Sequence, residues 1–404
     1  MINSLNIFIN KVLSPERVVF LLIFFCNSFV GWLCCTIQLL FQKNKRKQNL
    51  VFWSLLSVVF VSLYNATKVP DSDLIWYTEY YLMAGDYDLI SYLAQLTGGK
   101  EPLYQMIVYF LHIVGGNNVH FFVFSISAIS YVFLLRALFL WKLEADVSDL
   151  NFMFAVMTLC FFPWTFALSV HIIRQFLALS IMLWAFFSYY GSYKKRYLCF
   201  AISSVFIHSS VVIFVPLLFI KRIAQPIKLK YLYVMIGVVA SFSSIKQLGA
   251  IAQHYVKNSA TLAHIAQKAA EGTHFETSLP LSQFLFSVAL VLFAFLSVYG
   301  INRRLKDVKF FTLFLNMSLI LLFFIMASSN YSEIQLRYNF YFWSFVPFFV
   351  IIYLNAINFR SYIKFCCMFS LFLFWNGYNM FLSSWTYTCA NEFFLYPFFW
   401  YFLD

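Results

Sequence analysis

An all-α, polytopic membrane fold is what this sequence predicts, and three observations predict it. Only 11% of the 404 residues are charged and 62% are hydrophobic, with a mean hydropathy of +0.77. Apolar runs of about 20 residues, enough to cross a hydrocarbon core roughly 30 Å thick, recur along nearly the whole chain. Basic residues gather in short clusters between those runs, the pattern of cytoplasmic loops. A soluble domain this poor in charge would lack the polar surface to stay dissolved. One transmembrane domain over residues 1–404 is expected, with about 10–12 helices, half-membrane and re-entrant elements included.

Full-length spans are expected near 18–41, 50–66, 118–140, 151–168, 174–191, 231–249, 281–300, 310–327, 339–358 and 364–384. The first is too long for a signal-peptide core and reads as a retained anchor. Two apolar pieces fit less well. Residues 102–116 are short for a crossing, and 197–220 carry His208-Ser209-Ser210 at their centre. The charge rule settles both. The clusters at Lys43–Lys47, Arg136 with Lys142, Lys194-Lys195-Arg196, Lys221 to Lys230, Arg303 to Lys309, and Arg360 with Lys364 all fall on the cytoplasmic side only if neither piece crosses. Each is then re-entrant or half-membrane, and irregular backbone at membrane depth belongs in buried or cavity-lining places.

That parity leaves the N-terminus, 67–101, the turn at 169–174, 250–280, 328–338 and 385–404 on the other side. In 67–101, Asp71 or Asp73 can cap a helix bearing Trp76, Tyr77, Tyr80 and Tyr81. Leu89, Tyr92, Leu93 and Leu96 then repeat at helical spacing before Gly98-Gly99. Tyrosine-rich amphipathic pieces of this kind suit the membrane interface. A further polar helix is expected over 250–270, within the loop 250–280.

The net charge of +12 is accounted for by the loop clusters, so no nucleic-acid partner is expected. Eight cysteines include no C-x-x-C pair, and His254, His264 and His274 recur every ten residues, which is no ligand spacing. No metal site and no cofactor are expected.

The residues that break the charge rule are the informative ones. Arg174 and Arg337 both stand at non-cytoplasmic boundaries, where an arginine either snorkels to water or serves a site. A permanently charged planar fork suits a phosphate, and two of them suit a diphosphate. Glu101 precedes Pro102, which fits the first position of a helix, so the carboxylate complements the helix dipole or acts as a base. Asp73 also stands beside a membrane-going segment. His208 is either a packing hydrogen bonder or a catalytic group. His171, three residues before Arg174, is expected on the same helical face.

Asp73-x-x-x-Tyr77-x-x-x-Tyr81, Glu101-Pro-Leu-Tyr104, Arg174-Gln175 with Ala178, Lys194-Lys195-Arg196 followed by Phe206-Ile-His208-Ser209-Ser210, and Arg337-Tyr338 occur in that order. This set resembles the EpsG family of Wzy-type O-antigen and exopolysaccharide polymerases, over roughly residues 55–345. The resemblance implies a GT-C-like glycosyltransferase of the bacterial inner membrane with its site facing the periplasm. Its substrates would be undecaprenyl-diphosphate-linked oligosaccharides, and a chain-length-regulating co-polymerase would be its partner. Arg174 and Arg337 would hold the donor diphosphate, and Asp73 or Glu101 would deprotonate or orient the acceptor hydroxyl. His208 would line the cavity, with Tyr77, Tyr81, His171, Gln175 and Tyr338 as neighbours. The competing readings are another GT-C transferase, the O-antigen ligase, a flippase or transporter of lipid-linked sugar, and a membrane acyltransferase. A transporter should show internal repeats, and none is evident.

Overall fold

The computed structural model describes residues 14–41, 46–68, 70, 73–97, 101–192, 194–220, 225, 281–328, 332–357, 369–370 and 397–402. All regular structure among them is helical. The expected span at 231–249, most of that at 364–384, the helix expected in 250–280, Asp71, His254, His264 and His274 lie outside the described residues. Four of the described helices are long and apolar enough to cross a membrane: Asn49–Ala66, Val119–Glu144, Ser282–Ile301 and Lys309–Ala327. A fifth candidate, Gln335–Ser344 with Val346–Ala356, bends by 43°. The protein is a polytopic, all-helical membrane protein. It divides into two compact units, one of Met1–Phe219 with Phe359–Asp404, the other of Ile220–Asn358.

The first unit opens on a correction. Residues 18–41 do not form one span. Helices α1 (Pro15–Cys26) and α2 (Ser28–Phe41) are separated by Asn27 in an extended conformation, and the Asn27 side chain accepts from Val30 N–H at 3.0 Å. The two legs fold back on each other, since Gln38 Nε2 lies 3.5 Å from Glu16 Oε2. Arg17 is buried and donates to Asn49 Oδ1 at 2.9 and 3.1 Å. The hairpin therefore starts and ends at the same end of α3 (Arg46–Ala66). The start of α1 therefore lies at the same end as the start of α3, not opposite it as the parity expected. Indole N–H groups tie the hairpin to α3: Trp32 donates to Ser57 Oγ at 2.9 Å and Trp53 to Thr36 Oγ1 at 2.8 Å.

From α3 the chain enters α4 (Asp73–Met83), a 3₁₀ turn at Ala84–Asp86, and α5 (Leu89–Thr97). Asp88 caps α5, accepting from Ile90 and Ser91 N–H at 3.0 and 3.1 Å and from the Ser91 hydroxyl at 2.7 Å. The hydrogen bonds from Ser91 hold that carboxyl below its ordinary range. Next come α6 (Pro102–Gly115) and the 26-residue α7 (Val119–Glu144). A Lys142–Asp149 ion pair of 2.6 Å closes the turn from α7 to α8 (Asp149–Phe161). The expected span at 151–168 is broken at Pro163, which has no N–H to continue the helix, and resumes as α9 (Pro163–Leu168). A turn at 169–172 leads to α10 (Ile173–Ser192), which is packed against α7.

Two elements expected not to cross each return to the end of the first unit from which they set out. Both ends of α6 lie at one end of the bundle. Its start meets Arg174 through Glu101, and beyond its end His120 Nδ1 lies 2.6 Å from Ala66 O at the end of α3. Asn65, one residue before Ala66, donates to Ser169 Oγ at 3.3 Å, just ahead of Arg174. Residues 196–219 form a hairpin along α10. Helix α11 (Arg196–Val205) ascends with Tyr197 and Phe200 against Trp184, at centroid distances of 5.6 and 5.1 Å. The chain turns at His208 and descends as 3₁₀ segments Ser209–Phe214 and Pro216–Phe219. The Leu217 carbonyl accepts from the Tyr190 hydroxyl at 2.9 Å, back near the end of α10.

The second unit contains α12 (Leu281–Phe295), continued as a π-helical turn to Ile301, and α13 (Lys309–Ala327). It also holds α14 (Ser332–Ser344) and α15 (Val346–Ala356). Phe314 of α13 meets Phe345, Phe348 and Phe349 at the bend between α14 and α15. Ser287 donates to Asn339 Oδ1 at 3.1 Å, joining α12 to α14 inside the apolar packing.

Candidate active site

Three breaks in regular structure, all in the first unit, meet at the end of α10 that carries Arg174. They are the start of α6 at Glu101, the turn before α10, and the tip of the 196–219 hairpin. The Leu103 N–H donates to Phe206 O at 3.3 Å, which fixes the start of α6 against the approach to His208.

Glu101 is the N-cap of α6 by position, with Pro102 at the first helical place, as the sequence indicated. Its side chain makes no cap hydrogen bond. Its backbone is left-handed, φ 55° and ψ 49°, and the carboxylate is turned away from its own helix. Oε2 lies 2.5 Å from Arg174 Nη1, and Oε1 lies 3.6 Å from His208 Nε2. Capping does not account for this residue; the contact with Arg174 does.

Arg174 stands in the first turn of α10, its side chain 28% exposed. Its guanidinium carbon lies 4.9 Å from the Tyr77 ring centre and 5.9 Å from that of Tyr104. Two aromatic faces and one carboxylate thus hold a charge that can never be shed by deprotonation. Its Nε is buried and makes no hydrogen bond among the described residues. A half-buried fork with a donor to spare is equipped for an anionic ligand.

His208 is buried and extended, φ −156°, between α11 and the first 3₁₀ segment. Its Nδ1 accepts from the Ser210 N–H at 3.3 Å and lies 2.6 Å from the Ser210 hydroxyl. With Nδ1 an acceptor, the neutral ring carries its proton on Nε2, the atom facing Glu101.

Asp73 is the first residue of α4 and reaches the cluster through Tyr77, whose hydroxyl donates to Asp73 Oδ2 at 3.5 Å. Tyr77 packs edge-on to Tyr104 at 6.1 Å. Tyr81 is one turn further from Arg174, fully buried, stacked on Phe122 at 4.6 Å and edge-on to His112 at 5.1 Å. Tyr77 and Tyr81 thus face α6 and α7, while Trp76 is exposed. Gln175 and His171 are both buried, but His171 lies in the turn before α10. It therefore does not share a helical face with Arg174, contrary to the expectation from spacing. Arg337 and Tyr338 stand on α14 of the second unit, where Tyr338 packs edge-on to Phe324 at 4.5 Å. The site described here is the one the first unit builds alone.

Sequence reasoning gave no role to Tyr104, Gln105 or Ser210. Tyr104 was visible within Glu101-Pro-Leu-Tyr104, one turn from the carboxylate and so on its face. Gln105 is buried and lies 3.2 Å from the Tyr92 hydroxyl, tying α5 to α6.

A model of the EpsG family matches residues 48–398, most of the chain. The chain belongs to the EpsG family. EpsG-family proteins are Wzy-like polysaccharide polymerases, which makes this a polymerase-type glycosyltransferase in general terms. No curated protein and no solved structure matches it. Glu101, Arg174 and His208 all fall inside the matched EpsG region, while the α1–α2 hairpin lies before it.

Proposed function

We propose that this protein polymerises lipid-diphosphate-linked oligosaccharide repeat units at the periplasmic face of the inner membrane, with undecaprenyl diphosphate as the carrier. The observation that supports it most is the Arg174–Glu101–His208 cluster. It places an anion-binding fork and a carboxylate side by side at the end of the helices opposite the Lys194-Lys195-Arg196 cluster. The charge rule assigns that end to the periplasm.

In this reading Arg174 binds the donor diphosphate and stabilises the charge that develops as it leaves. The acceptor hydroxyl oxygen attacks the anomeric carbon of the donor sugar. The bond from that carbon to the diphosphate oxygen breaks, and its electron pair stays on the diphosphate. The hydroxyl proton passes to the Glu101 carboxylate. His208, its proton held on Nε2 by Ser210, orients Glu101. Asp73 acts through Tyr77 to keep the ring beneath Arg174 in place. The resemblance assigns Arg337 to the same donor, and a co-polymerase to the control of chain length.

Arg174→Ala should abolish long chains and leave single repeat units on the lipid core, at unchanged protein abundance. Arg174→Lys should fail almost as badly, because an ammonium offers neither the planar fork nor the same stacking on Tyr77. Electrophoresis of surface polysaccharide from complemented deletion strains reads both. Full-length polymer from Arg174→Ala would remove it from the active site. Loss even of single repeat units on deleting the gene would favour a flippase or ligase.

A further inference from the structure

A carboxylate held at 2.5 Å by a guanidinium is a poor proton acceptor, because the neighbouring positive charge favours its ionised form. The same pair leaves the guanidinium partly neutralised, which weakens it as an anion site. As they stand, Arg174 and Glu101 block each other's chemistry. The geometry suggests how the block is lifted. A diphosphate offers Arg174 more charge and more oxygens than one carboxylate does. Glu101 has a second place to go, since Oε1 already lies 3.6 Å from the proton-bearing Nε2 of His208. The Tyr77 and Tyr104 rings lie 4.9 and 5.9 Å from the guanidinium carbon, so the charge stays held while its carboxylate partner changes.

We propose that the Arg174–Glu101 pair is a donor-released latch: the arriving diphosphate takes the guanidinium, and the freed carboxylate swings to His208 and becomes the base for the acceptor hydroxyl. This rests on the reading of Arg174 as the donor site. It makes activation of the acceptor conditional on a bound donor. Glu101 acts as the catalytic base only after exchange, and His208 is the positioning residue that receives it. The strained backbone of Glu101 fits this, for it aims the side chain at Arg174 and not along its own helix.

The test uses full-length protein in nanodiscs titrated with undecaprenyl diphosphate, followed by intrinsic fluorescence. Arg174→Ala should lose binding. Glu101→Gln should bind about tenfold tighter than wild type, since the competing charge is gone, and yet make no polymer. Equal or weaker binding by Glu101→Gln, with Arg174→Ala still defective, would overturn the latch and leave the donor site standing. Wild-type affinity in Arg174→Ala would remove both. A second measurement needs no variant: carbodiimide modification of Glu101 in the wild-type protein, quantified by mass spectrometry, should rise severalfold when undecaprenyl diphosphate is added. No rise, or protection, would overturn the exchange.

Discussion

Lys68 is buried with its ammonium on the Phe166 carbonyl and 4.5 Å from the Phe166 ring centre. Burial pushes its pKa down to about 7. The charged form is thus disfavoured in the folded protein relative to the unfolded chain, whose lysine titrates near 10.4. Between those values the unfolded chain binds the proton and the folded one does not, so stability rises with pH through that window. Below pH 7 both forms are protonated and the full cost of burying the charge is present, on the order of several kcal/mol. Thermal unfolding in detergent should therefore shift upward by several degrees from pH 6 to pH 9. Lys68→Met should flatten that rise and be the more stable variant at pH 6. An unchanged slope in Lys68→Met would mean that other groups carry it. In the sequence Lys68 reads only as a charge at the start of a loop. Its burial depends on Phe166, 98 residues away, and no local pattern encodes that. Glu101 was more legible, since the following proline marks a helix start, but the direction of its side chain follows from a left-handed backbone that sequence does not announce.

Apolar length alone made residues 18–41 look like one span, and the break at Asn27 shows what that measure overlooks. Asn27-Ser28 is a helix-starting pair in the middle of the run, and Gly31 follows where α2 runs against Phe24 of α1. A Cβ on Gly31 would clash with the Phe24 backbone, a contact that cannot be relieved by rotating a side chain. Gly31→Ala should therefore force the legs apart at a cost of about 1–3 kcal/mol. It should loosen the Trp32 and Trp53 contacts with α3 and lower the unfolding midpoint, with smaller effect on polymer formation per folded molecule. A Gly31→Ala protein as stable as wild type would show that the hairpin opens without cost. The 196–219 hairpin was legible for the opposite reason. There charge parity forbade a crossing and His208-Ser209-Ser210 marked the turn, so a global constraint and a local one agreed.

In the first unit, charge parity gives each end of the bundle a side to be tested, and the α1–α2 hairpin changes the side assigned to the start of the chain. The structure puts Glu16 beside Gln38 and Arg17 on Asn49, which brings the start of α1 to the end of α3 that begins at Arg46. Downstream parity is untouched, because it is counted from the Lys43–Lys47 cluster onward. In the first unit, the proposed orientation puts the α7–α8 turn and the start of α11 on the cytoplasmic face, and Asp86 and Asn117 on the face of the Glu101–Arg174 pair. Single cysteines make the arrangement measurable in intact cells with a membrane-impermeant maleimide. Asp86→Cys and Asn117→Cys should react from outside the inner membrane, whereas Glu16→Cys, Asp146→Cys and Lys194→Cys should react only after it is permeabilised. External labelling at position 16 would restore a full crossing by residues 18–41 and reject the hairpin. External labelling at position 194 would carry the candidate site to the cytoplasmic face, where a lipid-linked donor already delivered to the periplasm could not reach Arg174.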